Sequence, residues 1–191
     1  MKTKIKDVTG KDFNKALELY AETCHKDRFY CRLFKTDDCY SDIKKYFYND
    51  VWSTIQYGTA LGAYAGKQLI GVLLGFNIQN WNNAHPEEFK HIFNFDNEQT
   101  EYWYEAIDAY FKDTNRCVMY TYLVCVDVQF QHKGVATSLI RSMVTKYGKE
   151  FVLISDVSNP IAMPMWYKNG FKEVHLKVDK EDVLLLVYEG K

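Results

Sequence analysis

Three consecutive pieces of this chain constrain it most. The strand-like run Leu123-Val124-Cys125-Val126 leads into a polar turn, Gln131-His132-Lys133-Gly134-Val135-Ala136, and an amphipathic run continues from Val135 to Tyr147. Apolar period two gives way to period 3.6 across one glycine-containing turn, so a strand must hand the chain directly to a helix. The first turn of a helix exposes N–H groups without intrahelical partners, and the dipole favours negative charge there. Yet no Asp or Glu occurs between Asp127 and Glu150, whereas Lys133, Arg141, Lys146 and Lys149 do. Those donors are left to water, to a neighbouring side chain or to an external anion, and glycine lets a bulky phosphate approach the backbone. The turn has neither G-x-x-x-x-G-K-S/T nor G-x-G-x-x-G spacing, which disfavours a nucleoside triphosphatase or a Rossmann-type dehydrogenase.

Apolar periodicity orders the rest of the chain without repeats or linkers. Lys4 to Val8 reads as a first strand, and Phe13 to His25 and Asp42 to Ile55 read as two helices. Thr59 to Ala65 and Gln68 to Phe76 form a hairpin turning at Ala65-Gly66-Lys67. A polar, aromatic insert follows from Asn77 to Asn115, with a helix near Glu101 to Phe111. Met119 to Val128 is a strand, Val135 to Gly148 a helix and Phe151 to Asp156 a strand. Ile161 to Asn169 is a short helix after Pro160, and Phe171 to Val178 with Val183 to Tyr188 makes a closing hairpin. The order β-α-α-β-β-(insert)-β-α-β-α-β-β is a mixed α/β (α+β) fold, and 191 residues fit one domain, 1–191.

A net charge of −1 with 47% hydrophobic residues excludes a disordered or strongly basic chain, so charge indicates neither nucleic acid nor an acidic membrane as partner. The run Met1 to Asp7 lacks the apolar segment of a signal peptide, and the longest apolar run, Val183 to Tyr188, is too short to span a bilayer. The expectation is a cytoplasmic protein. Its five cysteines contain no C-x-x-C pair and read as reduced thiols. His85, Glu88 and His91 do not share one helical face at ligand positions, so no metal site is expected.

Two separated pieces resemble the GNAT superfamily of acetyl-CoA-dependent N-acetyltransferases. Val124 to Ala136 is similar to that family's strand followed by its Q/R-x-x-G-x-G/A pyrophosphate loop. Asn159-Pro160-Ile161-Ala162, then Trp166-Tyr167-Lys168-Asn169-Gly170-Phe171, is similar to its N-x-x-A and Y-x-x-x-G-F ending. The match covers roughly Met119 to Val187. It implies a mostly antiparallel sheet of about seven strands flanked by helices, with a splayed parallel strand pair holding CoA. The backbone of Gln131, His132, Lys133, Gly134, Val135, Ala136 and Thr137 would hold the CoA pyrophosphate, and the peptide groups of Val124, Cys125 and Val126 would pair with the pantetheine arm. Asn159 would face that arm, or cap the helix that starts at Pro160, and Ala162 would leave room beside it. Acetyl-CoA is then the co-substrate, and the acceptor is an amine of a small molecule or peptide. A non-catalytic acyl-CoA-binding module is the alternative.

The sequence departs from the family at the position of its usual tyrosine, which here is Trp166, expected to line the cofactor pocket. Tyr167 is the nearest phenol and the candidate general acid, although one helical position turns it by about 100°. Some members of that family carry a glutamate on the strand before the loop, but Met119 to Tyr122 here have no carboxylate; base candidates are Glu101, Glu105, Asp108 and His85, and an amine of low pKa or a water chain to bulk would make a base unnecessary. Cys125 as a covalent acetyl carrier is set against the ordinary reading of a strand cysteine as a small buried hydrophobe. The segments Cys24 to Tyr40 and Trp81 to Tyr122 are expected to shape the acceptor pocket, and their aromatic residues also leave a homodimer open.

Overall fold

The computed structural model describes residues 3–78, 107, 110–112, 116–156, 160–178 and 181–190. Asn159 and most of the aromatic insert lie outside the described residues, and with them His85, Glu88, His91, Glu101, Glu105 and Asp108. Ile107, Tyr110 and Phe111 are helical, in keeping with the helix expected near Glu101 to Phe111.

Strand β1 (Thr3–Asp7) and helix α1 (Phe13–Cys24) stand close to their expected positions. The second predicted helix does not run unbroken. It is two helices, α3 (Tyr40–Tyr46) and α4 (Tyr48–Tyr57), with Phe47 at φ −91° and ψ 13° between them. A further helix, α2 (Arg28–Phe34), precedes them. The break places the Phe47 ring 5.0 Å from both Tyr20 and Tyr46 and 5.8 Å from Tyr30, contacts that one continuous helix would not have to satisfy.

The remaining elements are β2 (Thr59–Ala65), β3 (Gln68–Asn77), β4 (Cys117–Val126), α5 (Val135–Tyr147), β5 (Phe151–Asp156), α6 (Met163–Tyr167), β6 (Lys172–Val178) and β7 (Glu181–Tyr188). They form one seven-stranded sheet in the order β1-β2-β3-β4-β5-β7-β6, antiparallel except for the parallel pair β4–β5. Helices cover both faces. The α1, α3 and α4 side chains Leu17, Tyr20, Ile43 and Val51 pack with Val72, Leu74, Leu123 and Cys125, while Leu139, Ile140 and Met143 of α5 pack with Ile70, Leu73 and Met119. Burial on both faces explains why β3 reads as a nearly continuous apolar run instead of an alternating one.

One irregularity in β4 decides which of its side chains face α5. Leu74 of β3 faces Leu123 and Gly75 faces Thr121, so Tyr122 is a bulge with no opposite residue. The extra residue reverses the strand's alternation. Before it, Met119 packs toward α5 and Val118 and Tyr120 away from it; after it, Val124 and Val126 point toward α5, and Leu123 and Cys125 toward α1. Pairing of β4 with β5 ends at Tyr120↔Ile154, immediately before this bulge. Gly75 permits the close approach, since a Cβ there would sit 2.5 Å from the Tyr120 carbonyl oxygen. Gly75→Ala is therefore expected to lower stability by about 2 kcal/mol through forced displacement of β4, read as a fall in the urea midpoint with unchanged slope.

Candidate active site

The joint between β4 and α5 is held by the loop's own polar groups. The Asp127 carboxylate accepts the Gln129 N–H at 2.9 Å and starts a single 3-10 turn, Val128–Phe130. The Gln131 side-chain amide donates back to the Val126 carbonyl at 3.1 Å, and the Lys133 ammonium donates to the Gln129 carbonyl at 2.7 Å. His132 and Gly134 both take left-handed backbone conformations, with φ of 59° and 78°, and Gly134 caps α5 without a side-chain bond.

The first helical bond runs from the Ser138 N–H to the Gly134 carbonyl at 3.0 Å. Among the described residues, the N–H groups from His132 to Thr137 donate to no protein acceptor. Successive donors at the head of a thirteen-residue helix, with no acidic residue in its first turn, are the kind of group that an anion would satisfy.

These donors border a cavity of about 470 Å³ lined by Val124, Val126, Gln131, His132, Gly134, Val135, Ala136, Thr137 and Ala162, and also by Phe130, Ile161, Pro164, Met165 and Lys168. One wall is the edge of β4 that β5 has left. The Ser155 hydroxyl donates to the Thr121 carbonyl at 2.8 Å where the two strands part, the Gln131 amide donates to the Val126 carbonyl, and among the described residues β5 pairs with β4 only as far as Tyr120↔Ile154, leaving Leu123 to Cys125 beyond its reach. A slot with this stretch of β4 along it and open donors at one end suits an extended ligand bearing phosphates. The residues present fit coenzyme A in this respect: the open donors answer a pyrophosphate, and nothing lies within 4 Å of where a Cβ on Gly134 would be.

No family model matches the sequence, and no curated protein matches it. The structure does have counterparts. A histone acetyltransferase HPA2-related acetyltransferase from Corynebacterium glutamicum superposes with a TM-score of 0.67 at 14% identity, covering 100% of this chain and 98% of that one. Arylalkylamine N-acetyltransferase 2 from Aedes aegypti gives 0.62 at 17% identity, covering 98% and 97%. Arabidopsis thaliana NAA60, solved with a bisubstrate analogue, gives 0.58 at 16% identity, again covering 98% and 97%. The chain has the GNAT fold. The expected seven-stranded sheet with its parallel, splayed pair is the one observed.

Within this GNAT fold, most of the residues singled out in the sequence come together; Trp166 and Tyr167 take other positions, and Cys125 and Lys133 keep their backbones at the slot while their side chains turn away. The Cys125 side chain points to the α1 face and contacts the Cys24 thiol, so only its backbone borders the splay. A covalent acetyl carrier facing away from the slot is not supported. Lys133 turns back over the loop, 5.3 Å above the Phe130 ring, and only its main chain belongs to the run of open donors.

Trp166 does not line the cavity as expected. It is 3% exposed and packs edge-on against Phe171 at 4.8 Å, in the core beneath α5. Tyr167, one position on, turns outward to 42% exposure, and its hydroxyl donates to Glu173 of the edge strand β6. That bond raises the phenol above its usual range, and Tyr167 is not among the residues lining the cavity. The residues of this segment that line the cavity are Ile161 and Ala162 of the 3-10 turn Pro160–Ala162, Pro164 and Met165 of α6, and Lys168 at its end.

Proposed function

We propose that this protein moves an acetyl group from acetyl-CoA to the primary amine of a small molecule or peptide, by direct attack within a ternary complex. The observation that carries this reading is the run of open N–H groups from His132 to Thr137, facing a cavity beside the part of β4 past which its described pairing with β5 ends. Those donors would hold the pyrophosphate. The peptides of Val124, Cys125 and Val126 would accept the pantetheine arm as an added strand, and Ala162 would leave it room. Acetyl-CoA supplies the activated acyl group as a thioester. The chain's part is to fix that thioester where β4 and β5 part and to bring an amine to it. A thiol of pKa near ~8.5 leaves without strong acid assistance, so the reaction does not require the proton of Tyr167. Solved structures of the same fold include an agmatine N-acetyltransferase and a Drosophila melanogaster polyamine N-acetyltransferase, which supports a small amine as acceptor.

Two measurements test the reading. Acetyl-CoA at about 100 times its dissociation constant is expected to stabilise the protein by ~2.7 kcal/mol. Addition of a primary amine is then expected to release free thiol. Stabilisation without release on any amine would favour an acyl-CoA-binding module, and no stabilisation at all would overturn both.

A further inference from the structure

Asp50 is 1% exposed on α4, and among the described residues neither of its carboxylate oxygens has a hydrogen-bond partner. A buried carboxyl group without a partner destabilises the fold that holds it, and folds seldom keep one that they do not use. One turn along the same helix, the Thr54 hydroxyl lies 2.9 Å from the Tyr122 phenol, and Tyr122 in turn is near enough to sense the charge of Asp50. Tyr122 is the bulged residue of β4, next to the last residues before β4 and β5 part. Asp50 therefore stands one helical turn from Thr54, whose hydroxyl meets the Tyr122 phenol beside the point where the two strands part, on the sheet face opposite α5.

The electrostatic surroundings of Asp50 are apolar. Burial alone pushes its carboxyl up to about 8, with no lysine, arginine or histidine among the described residues offsetting it. Of the titratable groups on neighbouring elements, Tyr20 and Cys24 of α1 and Cys125 of β4 share that core with Tyr122, β3 carries none, and Tyr64 of β2 faces Asp12.

Resting on the acetyl transfer proposed above, we infer that Asp50 receives the acceptor at this vertex as an ammonium ion and takes the proton that the amine must lose before it attacks. An ammonium nitrogen has no lone pair. The carboxylate accepts one proton and becomes the neutral acid that its surroundings favour. The freed lone pair forms the N–C bond to the acetyl carbonyl, the C–S bond breaks, and a second proton passes from nitrogen to the leaving thiolate sulfur. Asp50 then releases its proton to solvent, so the products are the amide, the free thiol and one proton. This base lies on a helix, not among the acidic residues of the insert or on β4.

Asp50→Asn keeps the shape and removes the charge. It is expected to leave acetyl-CoA affinity within about two-fold and to lower kcat/KM by at least ~100-fold, tested with butylamine, phenethylamine, agmatine and a lysine peptide. The wild-type rate should rise with pH to a plateau, and the variant should lack that step. A variant with wild-type kcat/KM and the same pH profile would overturn the role of Asp50 while leaving acetyl transfer intact. Wild-type protein that binds acetyl-CoA yet releases thiol with none of these amines would overturn the acetyl-transfer reading, and the role of Asp50 with it. If the variant does not fold, carbon-13 NMR of the Asp50 carboxyl in the wild type decides. Titration far above the ordinary carboxyl range, falling when butylamine is added to the CoA complex, is expected, and an ordinary value overturns the assignment.

Discussion

Gly134→Asp is expected to weaken acetyl-CoA binding by about 100-fold while leaving the fold near its original stability. The two effects separate because the position is strained but open. Gly134 has φ of 78°, and nothing lies within 4 Å of the site of a new Cβ. Asp in a left-handed conformation costs about 1 kcal/mol relative to glycine, and a carboxylate at the head of a helix returns a similar amount by accepting the open N–H groups. What helps the fold here blocks the ligand. The same carboxylate occupies the donors proposed for the pyrophosphate and repels it by about 3 kcal/mol at ~5 Å and an effective dielectric near ~20. Gly134→Asn supplies the control, since it has the same shape and backbone tolerance without charge, and should lose less than about ten-fold. Calorimetric titration of the wild type and both variants with acetyl-CoA checks the ordering. Equal affinity in the wild type and the Gly134→Asp variant would remove this loop as the phosphate seat.

The run of open N–H groups proposed to seat the pyrophosphate is legible in the sequence because every part of it is local. Strand period, helix period, a glycine between them and an absence of acidic residues all lie within one stretch, from Leu123 to Tyr147. Features that depend on distant contacts are not. The break at Phe47 is invisible to periodicity, because Ile43, Phe47 and Val51 keep their spacing of four across it while the rings of Tyr20 and Tyr30 decide the turn. The bulge at Tyr122 leaves no mark in a strand buried on both faces, although it determines which side chains reach the slot. Alignment with a family tyrosine points Trp166 to the cavity, yet a large indole gains more by packing on Phe171 than by lining an open groove. Asp50 illustrates the limit most plainly. A helical aspartate reads as solvated, and only the packing of α4 on the sheet reveals it as enclosed.

Asp50→Asn is also expected to make the protein more stable, by an amount that grows with pH. Burial raises the folded-state carboxyl from an ordinary 3.8 to about 8. The folded chain holds this proton more tightly than the unfolded chain, so the group's contribution is complete below the ordinary value and is lost as pH climbs through the folded one. Between about pH 5 and pH 8 the wild type should lose ~4 kcal/mol relative to the variant, at ~1.4 kcal/mol for each pH unit. Urea denaturation of both proteins at the two pH values measures the gap directly. A gap that stays constant would mean that Asp50 ionises as freely folded as unfolded. A gap that widens with pH, and narrows again when butylamine is added with CoA, would connect the cost to the chemistry: the carboxylate destabilises the free protein because its counter-ion is the substrate.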